Sequence, residues 1–312
     1  MDYTGGRTDN HVALQCRDSS RMRLTAKNGL KLFTSEFLGT FIFVYLGQSS
    51  LASFELMGTQ NDTINRQQAT IFTYGLAFLM AALLTQNLSG SHLNPAYTLA
   101  STVFGYISWN QAFSYICAQY MGSFMAAIFL YATYSDKLAQ RHSEGLLVGL
   151  NATLRAHGNI LSTGKLFSSY PPNEVSLTQL FISYTLASIH LSILLIIIQE
   201  SKLVRVPRCM KPVYMAASIT LVQAAFSANG GPVLNPAQDF SPRIFIAMFG
   251  WTSSAFNPYH YNYWWLCGII SPHLGALIGF GVNRFLSFFS EVECKARHGL
   301  NDEYRLPRDD ES

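Results

Sequence analysis

GGPVLNPAQDFSP, residues 230–242, breaks into an apolar stretch with Asn-Pro-Ala. The tripeptide occurs a second time, in SGSHLNPAYTLA at 89–100. Each copy follows a glycine-containing link and opens an apolar run, 94–105 and 235–249. Each run is about half as long as a bilayer-spanning helix. One such tripeptide is expected by chance in on the order of one chain in twenty at average composition. Two copies in equivalent settings do not read as ordinary turns.

Unpaired backbone in lipid is costly, so non-helical chain at that depth must line a cavity or be buried in protein. Two half-spans entering from opposite faces meet this condition if their helix starts come together at the midplane. Pro95 and Pro236 suit a first helical turn, where no amide hydrogen is needed. Asn94 and Asn235 can cap the helices while turning side-chain NH2 groups toward a lumen. Ala96 and Ala237 are small enough for the two turns to touch. Both positive helix ends then face the centre, where they repel a cation. A neutral hydroxyl compound can accept hydrogen bonds from the two asparagine amides.

The rest of the chain agrees with a bilayer setting. Of 312 residues, 49% are hydrophobic and only 12% charged, about half the charged fraction of a soluble domain. Apolar runs at 33–54, 69–88, 110–134, 177–199, 213–229 and 263–289 give six spans. Fifteen Lys and Arg flank one side, before the first span, in the 200–212 link and around the C-terminal end, against six on the other. Both termini are therefore predicted cytoplasmic. The net charge of +3 is too small and scattered to suggest a nucleic-acid partner. The five cysteines form no CxxC pair and read as free thiols. No cleavable signal peptide is visible in the polar 1–31 segment. Asn61 and Asn151 open sequons in loops placed outside, and are candidate glycosylation sites.

FTSEFLGT (33–40) opens the first span and FISYTLAS (181–188) the fourth, with matching spacing. The chain thus reads as an all-α membrane protein in which three spans plus a half-span occur twice, with opposite orientation. A cytoplasmic tail, 1–31, precedes a channel domain at 32–289, and a second tail covers 290–312. Repeat one runs over about 32–135 and repeat two over about 177–289, joined by an extracellular loop at 136–176.

SGSHLNPAYTLA and LNPAQDFSPRIF, with the six-span plan over roughly 30–290, resemble the major intrinsic protein family, the aquaporins. Asp239, the long loops at 135–176 and 250–262, and LFSSYPPNEVSL (166–177) are most similar to the aquaglyceroporin branch. The resemblance implies a bilayer-embedded homotetramer with one pore per subunit, and the sequons and outer loops favour a plasma-membrane home. It implies passive flow of water, glycerol and other small neutral solutes, with no cofactor, no metal and no catalysis. Asn94 and Asn235 match the central asparagines. Glu36 and His92 match the pair that braces the first half-helix loop, and Asp239 is a candidate brace in the second. The carboxylate expected in the fourth span is replaced by Tyr184.

The four positions of the family's outer selectivity filter fall on Tyr74, Gln223, Pro232 and Gln238. The last normally carries Arg. Gln keeps two donors and adds an acceptor, but removes a fixed charge. The loss of Arg and the change to Tyr184 read as one coupled removal of charge. The expectation is a water and small-solute channel with an Arg-free filter. The alternatives are a channel for urea, ammonia or peroxide, or a poorly conducting membrane scaffold or junction protein. His190, a polar residue inside the fourth span, reads as a neutral histidine bonded to a neighbouring helix.

Overall fold

The computed structural model describes the backbone of residues 8–57, 63–147, 163–171, 174–200, 206–251, 255–256 and 262–303. Side chains are described over 28–57, 66–140, 163–171, 174–200, 206–249, 255–256 and 262–289. Asn61 and Asn151 lie outside the described residues.

Among the described residues there is no strand. The long helices are α1 (Thr8–Met57), α2 (Thr63–Thr85), α4 (Trp109–Leu147), α5 (Leu177–Glu200) and α8 (Ser271–Glu303). Shorter ones are α3 (Pro95–Val103), α6 (Lys211–Ala225) and α7 (Pro236–Ile246). One helical turn at Tyr263–Trp265 and a π-helical turn at Leu266–Ile270 lead into α8.

Among the described residues, five segments are long and apolar enough to cross a membrane: Asn28–Met57, Arg66–Thr85, Trp109–Gln140, Leu177–Glu200 and Tyr263–Phe289. The expected span at 213–229 is carried by α6. Its α-helical part has 15 residues, or about 22 Å at the usual rise. The 3-10 turns Arg208–Met210 and Ser227–Asn229 lengthen it at both ends.

Three helices run past the boundaries read from hydropathy. α1 begins at Thr8, inside the segment taken as a tail. α4 continues to Leu147, into the 136–176 loop segment, across a kink at Tyr134 (φ −117°, ψ 15°). α8 continues to Glu303, so the 290–312 tail starts as helix. Hydropathy marks where lipid ends, not where a helix ends. None of these extensions contains proline, the strongest helix breaker.

The internal repeat is visible in how helices touch. Gly122 of α4 packs against the Phe37 carbonyl and Phe41 amide of α1. Gly275 of α8 packs in the same way on the Thr185 carbonyl and Ile189 amide of α5. Phe37 and Thr185, like Phe41 and Ile189, are equivalent positions in FTSEFLGT and FISYTLAS extended by one residue. Without a side chain, each glycine lets two backbones approach closely, the usual device for joining helices in lipid. Between the halves, Gly75 of α2 packs against Thr220 and the Ala216 carbonyl of α6. α3 and α7 enter this frame from opposite repeats, and their buried first turns, at Ala96 and Ala237, lie at its centre.

Candidate functional site

Both half-helices begin as their sequences require. Asn94 and Asn235 are extended N-caps, each followed by Pro in the first turn. The Ala96 amide donates to Asn94 Oδ1 at 2.9 Å, and the Ala237 amide to Asn235 Oδ1 at 3.0 Å. The NH2 groups are not both wholly free for a lumen. Asn94 Nδ2 donates to the Leu234 carbonyl at 2.9 Å, and Asn235 Nδ2 donates to the Leu93 carbonyl at 2.7 Å. Each asparagine therefore holds the residue preceding the other. With two hydrogens per NH2, each amide retains one N–H beyond this cross-bond.

The first loop is braced by a carboxylate. Glu36 of α1 is fully buried. It accepts from Ser89 Oγ at 2.6 Å, the His92 amide at 3.1 Å, the Leu93 amide at 2.7 Å and Gln119 Nε2 at 2.8 Å. The loop needs such a hold. Ser91 and Leu93 have left-handed φ values of 55° and 48°, a conformation costing about 1–2 kcal/mol for each non-glycine residue. His92 contributes its backbone to Glu36, while its ring pairs through Nδ1 with Thr98 Oγ1 at 3.2 Å.

The second loop is built differently. Its left-handed positions are glycines, Gly230 at φ 90° and Gly231 at φ 81°, so they carry little strain. Tyr184 is fully buried but reaches only the Asn229 carbonyl and Tyr263 Oη, each at 3.5 Å. No hydrogen bond links it to Gln238 among the described residues. The strong brace comes instead from outside the pore loop. Asp239 accepts from the Ser169 amide at 2.7 Å and from Ser169 Oγ. Arg243 completes the cluster, with Nη2 3.0 Å from Asp239 Oδ1, Nη1 2.6 Å from the Ala255 carbonyl, and its guanidinium over the Tyr170 ring. Gly268 lies against this cluster. A Cβ there would meet Asp239 Oδ2 at 2.8 Å.

Tyr74, Gln223, Pro232 and Gln238 line one cavity of about 650 Å³ that reaches Asn235. The Tyr74 ring is set between Phe43, in an edge contact at 6.2 Å, and the bare backbone of Gly47. The Gln238 side chain approaches the Tyr74 hydroxyl. Gln223 Nε2 points to the Pro232 carbonyl at 3.5 Å. Arg66, Lys165 and Glu55 stand among the other lining residues, with Lys165 and Glu55 joined at 2.8 Å.

Several contributors were not singled out from the sequence. Phe167, Ser168, Ser169 and Tyr170 line the cavity, and Ser168 Oγ donates to the Asp239 carbonyl at 2.9 Å. Gln48 of α1 joins them. LFSSYPP had been noted as a mark of the branch, and the contacts with Asp239 and Arg243 give that segment its physical role. His190 departs from expectation. Its Nδ1 pairs with the Leu186 carbonyl of its own helix at 2.7 Å, and its ring approaches Phe226. Among the described residues no cluster of three His, Cys, Asp or Glu could hold a metal ion.

The fold and the paired asparagine caps place the chain among polytopic membrane channels. The model of the family described as MIP, Major intrinsic protein, matches residues 23–282. Aquaporin-9 of Homo sapiens is 34% identical over 266 residues, covering 84% of this chain and 84% of that protein. Aquaporin-3 of Milnesium tardigradum is 34% identical over 252 residues, covering 78% of this chain and 73% of that protein. A solved structure, the aquaglyceroporin from Plasmodium falciparum, shares the fold at a TM-score of 0.69 and 21% identity, covering 85% of this chain and 99% of that one. The chain belongs to the major intrinsic protein family. Members of this family are membrane channels, not enzymes, and the chain is an integral-membrane channel of the class that passes water and small solutes.

Proposed function

We propose that the channel conducts water and small neutral solutes, glycerol among them, through an outer filter without arginine, formed by Tyr74, Gln223, Pro232 and Gln238. The observation that carries this reading is their convergence on one cavity ending at Asn235. The Tyr74 ring offers an apolar face for solute carbons. The carboxamides of Gln223 and Gln238 both donate and accept, so they can replace hydration-shell hydrogen bonds. Cation exclusion rests on the N-terminal ends of α3 and α7, whose positive partial charges face the centre from both sides. Farther in, the remaining N–H of Asn94 and of Asn235 donates to solute oxygens.

The same reading places the protein in the plasma membrane as a homotetramer with both termini cytoplasmic, and Asn151 and Asn61 facing the exterior as glycosylation sites. One observation favours a second reading, that of a weakly conducting scaffold. The Gln238 side chain and the Tyr74 hydroxyl, both of the filter, lie close together.

Stopped-flow light scattering on proteoliposomes tests both. Water and glycerol permeabilities well above those of empty liposomes support the channel. Folded tetramers with no flux of either exclude it and leave urea, ammonia and peroxide to be measured before the scaffold reading is adopted.

A further inference from the structure

Gln48 lies on α1, outside the four filter positions, yet it lines the cavity beside Gln238. It is 2% exposed. Its Nε2 donates to the Phe167 carbonyl and lies 3.5 Å from the Gln238 carbonyl. That pair of carbonyls fixes the amide's orientation, because a flip would set its oxygen against two other oxygens. Oε1 consequently points away from them. It is buried and has no hydrogen-bond partner among the described residues. A buried acceptor without a donor is unfavourable and calls for an explanation.

The neighbouring donors are few. Ser168 Oγ is committed to the Asp239 carbonyl and Ser169 Oγ to the Asp239 carboxylate. Lys165 is paired with Glu55, and Gln223 Nε2 is directed at the Pro232 carbonyl. The Gln238 side chain is different. It extends from the residue whose backbone Gln48 already approaches, and it lies near Tyr74, another member of the lumen-lining set.

We infer that Gln48 is a fifth specificity-determining residue of the filter, its unpaired oxygen being the acceptor onto which the Gln238 amide moves when a solute displaces it from Tyr74. The inference rests on the proposed channel function. With Gln238 on Gln48 the amide lies against the wall and the Tyr74 ring is free to contact solute. Water has less need of this arrangement than glycerol, so Gln48 sets the ratio of the two permeabilities. Gln48 acts through Gln238 and is a positioning residue in that sense.

The test is a double-mutant cycle in proteoliposomes, using water and glycerol as probes. Gln48→Met keeps the length of the side chain and removes the amide. It should lower glycerol permeability about three- to tenfold, the range expected for one hydrogen bond, and change water by less than about twofold. In a Gln238→Ala background the same substitution should change glycerol by less than about twofold, since the coupling partner is gone. Gln48→Asn, which withdraws the oxygen but keeps a polar group, should act in the same direction and serves if Gln48→Met does not fold. An equal loss in both backgrounds would reduce Gln48 to a packing residue, and no loss in either would dismiss it; each result overturns the inference while leaving the channel intact. A parent protein without flux removes the channel reading, and this inference with it.

Discussion

Asp239 Oδ1 and Arg243 Nη2 lie 3.0 Å apart, one turn along α7, with almost no part of either side chain exposed. The remaining guanidinium contacts go to the Ala255 and Ser169 carbonyls, so the ion pair ties the half-helix to the outer segment at 163–171. Breaking a buried pair from one side leaves an unpaired charge. Arg243→Leu should therefore destabilise the protein by about 3–5 kcal/mol. Thermal unfolding in detergent checks this, and an unchanged midpoint would show that the cluster contributes nothing to the fold.

The two pore loops should differ in their sensitivity to mutation. Glu36→Ala removes the acceptor for four donors, two of them amides of a strained loop. A loss of about 2–4 kcal/mol is expected, from buried donors left unsatisfied. Tyr184→Phe removes only two 3.5 Å contacts and should cost less than about 1 kcal/mol. Both variants can be compared in one unfolding experiment. Equal losses would mean that Tyr184 does take over the missing carboxylate's task.

Gly268→Ala sets a methyl group 2.8 Å from Asp239 Oδ2. The carboxylate must shift, and its bonds to Ser169 and Arg243 shift with it. The expected cost is about 1–3 kcal/mol, as for other overpacked sites. The same substitution combined with Arg243→Leu should cost less than the sum, because the two act on one carboxylate. Additive losses would place the effect of Gly268 elsewhere.

Gln238→Arg adds a fixed charge to the proposed filter but no partner for it. Asp239 is already saturated by Arg243 and Ser169, and Gln48 offers only a neutral oxygen. The variant should be less stable by about 1–3 kcal/mol, the cost of a poorly compensated polar group, and glycerol permeability should fall more than water permeability. A variant as stable and as permeable as the parent would refute the view that this filter is built around a neutral side chain.

The half-helices were legible because Asn-Pro-Ala is a local signal, in which cap, first-turn proline and small residue each have one physical use. Tyr74, Gln223, Pro232 and Gln238 came from the resemblance to the family, by their offsets from Asn94 and Asn235, and all four line one cavity. Gln48 left no such trace, for a single neutral amide in an apolar helix has no pattern to announce it. Ser169 could not be paired with Asp239 from the sequence, because the contact joins a loop to a helix 70 residues away. The cross-bonds from Asn94 to Leu234 and from Asn235 to Leu93 were missed for a related reason. A cap was expected from each asparagine, whereas a link to the opposite repeat depends on a docking distance that no single segment encodes.

Those cross-bonds bear on how the protein is made. While the first repeat is the only part synthesised, the Leu93 carbonyl has no Asn235 to meet and Asn94 has no Leu234. Neither half can finish its own loop, and in lipid an unfinished loop is a strong penalty. The two cross-bonds of the constriction can therefore form only after both repeats have been made.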